Sequence, residues 1–523
     1  MLLLKRLFTL SFIVLSTYYA NAQSLADAQY AIWNEQPGKA KQILKTLLAA
    51  NPTDAELNYR MGNLLFDEGK IDSAKMFYEK GIKPEDKTNY NFAGLGKIAL
   101  KQGNTAGALE YFTKLTNKEK SKDAKAYLFA AEAYAKNKQY EQAFIYFDKA
   151  IALDPNNAES YMLKGDVSLE SGDAGKAITN YEYAIEKKPN FAPPLGKIGK
   201  IYMSSRNYQE AKNNLTKANA ADPNYLPAIR DLAEYNHLFG REAEAAKLMK
   251  EYIDKSGRTD VDILSRYASF VFLSKDYANT ITIIEDLMKR DVQNKVLARL
   301  IAYSYYEQGK YTEGLPYLEK FLASVDTSKI IASDYAYYGK LLAKNAQDSL
   351  AIINLNKAIE LDTADVDLFN DLAAIYNAQK KYLDMAQTYE RKIAATKPNP
   401  QDYYQVGRGY YYGGQFAKAD SAFAKVTEMQ PTTGVTYIWR ARSNAQLDPE
   451  TTQGLALPHY QKFIELTTDT EKYKKELVEA YEYLGYYYFV KDDLTQSKAA
   501  WQKVKELDPT NTKADEFFKS LKK

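Results

Sequence analysis

The sequence predicts an all-α chain, a solenoid of stacked antiparallel helix pairs. Three observations carry that expectation. A 34-residue repeat is plain in AKAYLFAAEAYAKNKQYEQAFIYFDKAIALDPNN at 124–157 and AESYMLKGDVSLESGDAGKAITNYEYAIEKKPNF at 158–191. Each copy carries two amphipathic runs, with apolar residues at repeat positions 4, 8 and 11 and again at 20, 24 and 27. Two of those positions are small: position 8 is Ala131 or Gly165, and position 20 is Ala143 or Ala177. One helical hairpin cannot bury both of its apolar faces, but stacked copies can.

Each mark in the repeat has a physical reason. Position 4 is Tyr127 or Tyr161, on the buried face of a first helix. Gly or Ala at positions 8 and 20 lets two backbones approach closely. Glycine inside a helix costs about 1 kcal/mol relative to alanine, so Gly165 implies that a larger residue has no room. Ser171-Gly172-Asp173 breaks the first helix and supplies Asp173 as the cap of the second. Phe147 or Tyr181 at position 24 and Ala150 or Ala184 at position 27 face inward, and Pro155 or Pro189 stops the second helix. This pattern resembles the tetratricopeptide repeat. The resemblance implies a right-handed superhelical solenoid and a role in holding other proteins.

The chain begins with Lys5-Arg6, an apolar stretch from Leu7 to Leu15, and small residues Ala20 and Ala22 before Gln23. That order reads as a signal peptide over 1–22. It implies an exported protein, and the style of the leader points to the bacterial periplasm. Repeats then tile the rest in about fourteen copies. A degenerate first copy runs from Ser24 to Asp54, and further copies begin at Ala55, Asn89, Ala124, Ala158, Ala192 and Leu226. A one-residue slip before Val261 and a short insertion, Lys329 to Ile331, bracket the copies at Val261 and Lys295. A second unbroken run begins at Ala332, Val366, Pro400 and Gly434, the last with an expanded turn from Leu447 to Gly454. Val478 opens a final clear copy. The expected organisation is therefore an N-terminal array over 23–259, less regular repeats over 260–331, a C-terminal array over 332–511 and a capping helix over 512–523.

Composition excludes several functions. The chain has no cysteine, so disulfides, thiol catalysis and cysteine-based zinc sites are impossible. Its two histidines, His237 and His459, lie far apart, and no metal or cofactor is expected. The formal charge is +3, or +1 without Lys5 and Arg6 (3 − 2), which gives no signal for nucleic acid or an anionic membrane. The 45 tyrosines are partly packing residues, as at position 11 in Tyr134, Tyr202, Tyr305, Tyr376, Tyr410 and Tyr488. No nucleophile elbow or phosphate loop is present, so the expected role is non-catalytic.

In the family that this repeat resembles, the first helix of each copy lines a concave face, and its positions 2, 5, 9 and 12 meet the ligand. In the early repeats, position 9 is of mixed character: Asn63, Lys97, Glu132, Asp166, Lys200 and Glu234. The corresponding positions later in the chain become basic and aromatic. They are Arg299, Tyr303, Tyr306, Lys340, Asn370, Tyr404, Arg408, Tyr411, Arg442 and Tyr486, which form the candidate partner-binding groove. Such a surface suits an extended acidic or C-terminal protein segment, because arginine clamps a carboxylate and tyrosine offers contact area at low entropic cost. The expected partner is an envelope or outer-membrane protein, engaged by a scaffold or by a dedicated subunit of an uptake, assembly or secretion complex. The family's clamp for acidic chaperone tails is not reproduced: Asn63 matches, but Tyr59 and Gly94 stand where lysine and asparagine are needed.

Overall fold

The computed structural model describes residues 23–86, 89–117, 119–290 and 295–521. The expected signal peptide lies outside the described residues. Among these, 29 α-helices and one short 3-10 turn make up all the regular structure. The chain divides into two compact lobes, Met1–Asp276 and Tyr277–Lys523.

The first lobe begins with α1 (Leu25–Trp33), α2 (Pro37–Ala50), α3 (Ala55–Asp67), α4 (Ile71–Lys80) and α5 (Asn91–Lys101). It continues with α6 (Thr105–Leu115), α7 (Ala124–Lys136), α8 (Tyr140–Leu153), α9 (Ala158–Glu170) and α10 (Ala174–Lys187). Its last helices are α11 (Ala192–Ser204), α12 (Tyr208–Ala221), α13 (Leu226–Leu238), α14 (Glu242–Ser256) and α15 (Val261–Leu273). The second lobe opens with α16 (Tyr277–Lys289), α17 (Lys295–Glu307), α18 (Tyr311–Ser324), α19 (Ala332–Lys344) and α20 (Asp348–Leu361). Then come α21 (Val366–Ala378), α22 (Tyr382–Ala395), α23 (Pro400–Tyr412), α24 (Phe416–Met429) and α25 (Gly434–Leu447). The chain ends with α26 (Leu457–Leu466), α27 (Lys474–Val490), α28 (Leu494–Leu507) and α29 (Thr512–Ser520). Each lobe is thus an α-solenoid of helix pairs, as the repeat predicts.

Helix boundaries follow from local chemistry. Asp54, Asn157, Asp173, Asp260, Asn399 and Asn511 each cap the next helix through a side-chain oxygen. The turn between the helices of a pair needs a left-handed residue, which falls at position 15 in the regular copies and at Thr451 and Gly454 in the expanded turn of the Gly434 copy. Glycine fills that position at Gly69, Gly103, Gly172, Gly240, Gly309 and Gly414, and a side-chain-bearing residue does so at Lys138, Arg206, Lys275, Ala346, Lys380 and Asp492. One boundary differs from the repeat reading. Helix α27 starts at Lys474, a turn before the expected Val478, because Leu477 is buried and extends the apolar face backwards.

The core is a column of position-8 and position-24 contacts. A Cβ built on Gly165 would sit 2.6 Å from the Tyr181 ring, and one on Gly407 would sit 2.6 Å from Phe423. Gly339 meets Leu355 and Gly485 meets Trp501 in the same way. Tyr78 is held on two sides: a Cβ on Gly62 or on Gly94 would come within 2.3 Å of its ring. Tyr78 is fully buried, and its hydroxyl donates to Asn63 Oδ1 at 2.8 Å.

Gly94→Ala gains about 1 kcal/mol of helix propensity. It also forces Tyr78 off a site with no free side, an overpacking cost of about 1–3 kcal/mol. Urea unfolding of the purified variant should therefore show a net loss of stability; a midpoint equal to or above the parent's would refute the two-sided contact.

Candidate functional site

In the first lobe the first helices of seven repeats converge on one cavity of about 420 Å³. Residues Arg60, Lys97, Glu132, Glu159 and Asp166, from successive first helices, line it together with Arg230. Helix α1 closes one side. Tyr30 donates to Asp222 Oδ2 at 2.6 Å, and Asn34 Oδ1 accepts the Leu226 amide at 2.7 Å. Glu35 forms an ion pair with Arg230, and Trp33 packs edge-on to Phe191 with centroids 5.1 Å apart. The sequence reading set the mixed-charge residues of position 9 aside. The structure gathers Asn63, Lys97, Glu132, Asp166 and Lys200 into this wall. Their recurrence at one repeat position was the available signal; closure by α1, some 192 residues away along the chain, had none.

Electrostatics in the cavity are set by burial. Arg60 is nearly enclosed, and its pKa lies above the ordinary value because Glu132 and Glu159 outweigh the burial that pulls it down. Burial raises the Glu159 carboxyl, against the pull of Arg60. Burial also lowers Lys97 to about 8, opposed by Asp67 and Glu132. Lys97 Nζ donates to Asn63 Oδ1 at 2.6 Å and sits 4.5 Å above the Phe66 ring.

In the second lobe most of the predicted basic residues already have partners. Arg299 Nη2 donates to Asp334 Oδ2 at 2.7 Å, and Tyr303 donates to Asp334 Oδ1 at 2.6 Å. Tyr303 stacks on Tyr337 at 4.0 Å, and Tyr306 meets the same ring edge-on at 5.4 Å. Lys340 pairs with Asp371 at 3.0 Å. Burial pulls the Lys340 ammonium down, but Asp371 more than offsets it and leaves the pKa raised. Asn370 accepts a hydrogen bond from Lys392, which is buried against Asp402 at 2.7 Å. Arg442 reaches Glu479 through two nitrogens, at 2.9 and 2.7 Å. Arg299, Lys340 and Arg442 each bond to the first helix of the next repeat, so they tie neighbours together.

Four of the predicted residues converge around one tryptophan. Tyr404 and Tyr411 stand edge-on to Trp439 at 6.4 and 5.2 Å, and the Arg442 guanidinium lies 5.1 Å above it. Tyr412 joins the cluster at 6.0 Å from Trp439, with Arg408 over its ring at 5.9 Å. Arg408 donates to Gln405 at 3.3 Å and has no ion pair among the described residues. Trp439 escaped the sequence reading because it occupies position 6, outside the expected ligand positions. Tyr486 stands apart from this cluster and is 45% exposed.

Paired helices repeated in this way, with polar first-helix faces, define a helical-repeat interaction protein. A family model described as "Tetratricopeptide repeat" matches residues 31–91, and one described as "Tetratricopeptide repeat protein 21 N-terminal ARM repeat" matches 108–235. The crystal structure of the C-terminal part of a TPR repeat-containing protein from Cytophaga hutchinsonii is 38% identical, covering 48% of this chain and 98% of that one, with a TM-score of 0.40. The chain belongs to the tetratricopeptide repeat family. It is also 26% identical over 153 residues to "Protein CTR9 homolog" of Arabidopsis thaliana, covering 28% of this chain and 14% of that protein. It is 23% identical over 173 residues to "Stress-induced-phosphoprotein 1" of Caenorhabditis elegans, covering 33% of this chain and 51% of that protein. The chain therefore spans about half or less of the length of these two relatives. The fold implies a protein-interaction scaffold. No helix of the described residues is long and apolar enough to cross a membrane.

The buried Lys97 predicts a pH dependence. Its pKa is near 8 in the folded chain and 10.5 when unfolded, so above pH 8 the unfolded state holds the extra proton. Stability then rises with pH. Between pH 8 and 10 the parent should gain on the order of 2 kcal/mol relative to Lys97→Met in parallel urea titrations. Parallel pH profiles would show that Lys97 is not held in this way.

Proposed function

We propose that this chain is a non-catalytic scaffold of the bacterial cell envelope, held in the periplasm after its signal peptide is removed. Its second lobe binds an extended acidic or C-terminal segment of an envelope or outer-membrane protein. The observation that carries this reading is the cluster of Tyr404, Tyr411 and Tyr412 around Trp439, with Arg408 over the Tyr412 ring at its edge. An arginine without a carboxylate partner at the edge of an aromatic cluster suits a carboxylate followed by extended backbone. Arg299, Tyr303, Tyr306, Lys340, Asn370 and Arg442 then shape and stiffen the surface through the contacts above, and Tyr486 offers exposed ring area.

Arg408→Glu tests the site without breaking an ion pair. The experiment is in-cell crosslinking of the tagged chain, followed by mass spectrometry of the captured proteins. We expect the parent to crosslink a partner near Lys418 and Lys425, on the helix paired with α23. Arg408→Glu should lose that partner while far-UV circular dichroism stays unchanged. One stoichiometric partner would make the chain a dedicated subunit of that partner's complex; several would make it a general scaffold. Undiminished capture by Arg408→Glu would remove this surface from the proposal.

A further inference from the structure

The first-lobe cavity contains polar groups that the fold itself leaves unanswered. Arg60 Nε and Gln29 Oε1 are buried and have no hydrogen-bond partner. Both line the cavity, as does Glu159. Glu159 has no hydrogen bond or ion pair among the described residues, although its neighbours Arg60, Glu132, Glu56 and Lys125 all act on it. Most of the other charges are engaged, and Glu170 and Lys200, which pair with none of the described residues, are exposed. Lys125 pairs with Glu56 at 2.9 Å, and Glu132 Oε2 accepts the Tyr59 hydroxyl at 3.0 Å. Lys197 pairs with Asp166 at 2.8 Å, Lys136 with Asp67 at 3.1 Å, and Arg230 with Asp231 at 2.9 Å.

Leaving a buried polar group without a partner is costly, so two in one wall, beside the half-buried and unpaired Glu159 carboxylate, mark a place built for something else. Their chemistry is specific. Gln29 Oε1 and Glu159 are acceptors that need donors; Arg60 Nε is a donor that needs an acceptor. Three carboxylates, Glu56, Glu132 and Glu159, surround the single guanidinium of Arg60. That excess repels a free anion and favours an ammonium or guanidinium group. A simple polyamine would satisfy the acceptors but offer nothing to Arg60 Nε. A peptide supplies both, with a basic side chain for Glu159 and Gln29 and a backbone carbonyl for Arg60. The cavity, at about 420 Å³, lies within the range of ligand pockets, and Trp33, Ile32 and Met162 line it with apolar surface for the stem of such a side chain.

We propose that this cavity is a binding site for a short basic peptide segment. Its lysine or arginine side chain is held by Glu159 and Gln29 Oε1, and its backbone carbonyl by Arg60 Nε. The proposal rests on reading the chain as a holder of protein segments, and it assigns the first lobe a preference of opposite charge to the second.

The test is calorimetric titration of the full mature chain with three probes: acetyl-Gly-Lys-Gly-amide, acetyl-Gly-Glu-Gly-amide and spermidine. The lysine peptide should bind at least about tenfold more tightly than the glutamate peptide and than spermidine, with a change in tryptophan fluorescence from Trp33. Glu159→Gln keeps the shape and removes the charge. It should weaken the lysine peptide about tenfold and leave the urea midpoint unchanged or higher. Equal binding of the two peptides, spermidine binding as tightly as the lysine peptide, no binding of any probe, or an unaltered affinity in Glu159→Gln would each overturn the proposal. The Arg408-dependent crosslink in the second lobe reads the other surface separately. If it persists while the titrations fail, only the basic-peptide site is lost; if it is absent while the lysine peptide binds, only the second-lobe reading is lost.

Discussion

The contact between a small residue at position 8 and a large one at position 24 governs the architecture. Gly62 against Tyr78, Gly165 against Tyr181, Gly407 against Phe423 and Gly485 against Trp501 are one interaction repeated along the chain. It sets how closely the two helices of a pair approach. The ring then fills the space between neighbouring pairs, as Tyr78 does between Gly62 and Gly94. Glycine is a poor helix former, so its retention at these positions sacrifices local propensity for packing. Ring and glycine come from different helices of one repeat, and no single helix of this fold carries a complete core.

That constraint explains why the fold was legible in the sequence. Sizes and apolar periods recur every 34 residues, so each copy corroborates the others. The helix starts at Ala124, Ala158, Ala192, Leu226, Val261, Lys295, Ala332, Val366, Pro400 and Gly434 all fall where the repeat places them. The exceptions are local. Helix α27 extends back to Lys474 because Leu477 adds one more buried turn. Position 15 was recognisable where it is glycine, as at Gly172. It was hidden at Lys138 or Arg206, whose side chains give no hint of a left-handed backbone. There the tertiary contact of the paired helices imposes a conformation that the residue does not itself prefer.

The candidate sites were less legible, for a physical reason. Repeat position reveals which face a side chain occupies, but not what lies opposite it. Arg299 and Arg442 sit at ligand positions, yet Asp334 and Glu479 on the next first helix engage them. Arg408 occupies an equivalent position and has only Gln405 and the Tyr412 ring. The difference lies in residues 30 or more positions away. Charge composition cannot separate a basic residue that ties two repeats from one left available to a partner. The same argument applies to the first lobe, where Glu35 and Tyr30 reach Arg230 and Asp222 across the cavity.

The apolar positions and the polar first-helix positions are therefore under different constraints. A change at position 8 or 24 propagates into the helix packing, because no neighbour has spare volume. A change at position 9 acts on the polar contacts of the first-helix face, such as the Lys340–Asp371 and Arg442–Glu479 pairs, and leaves the column of rings and glycines in place. This separation lets one framework carry carboxylates around Arg60 in one lobe and, in the other, an aromatic cluster around Trp439 with Arg408 at its edge. It also accounts for the unanswered polar atoms of Gln29 and Arg60. Their cost falls on a stack whose stability comes from the column of rings and glycines, so the wall of the cavity can remain unsatisfied without loosening the helices that hold it.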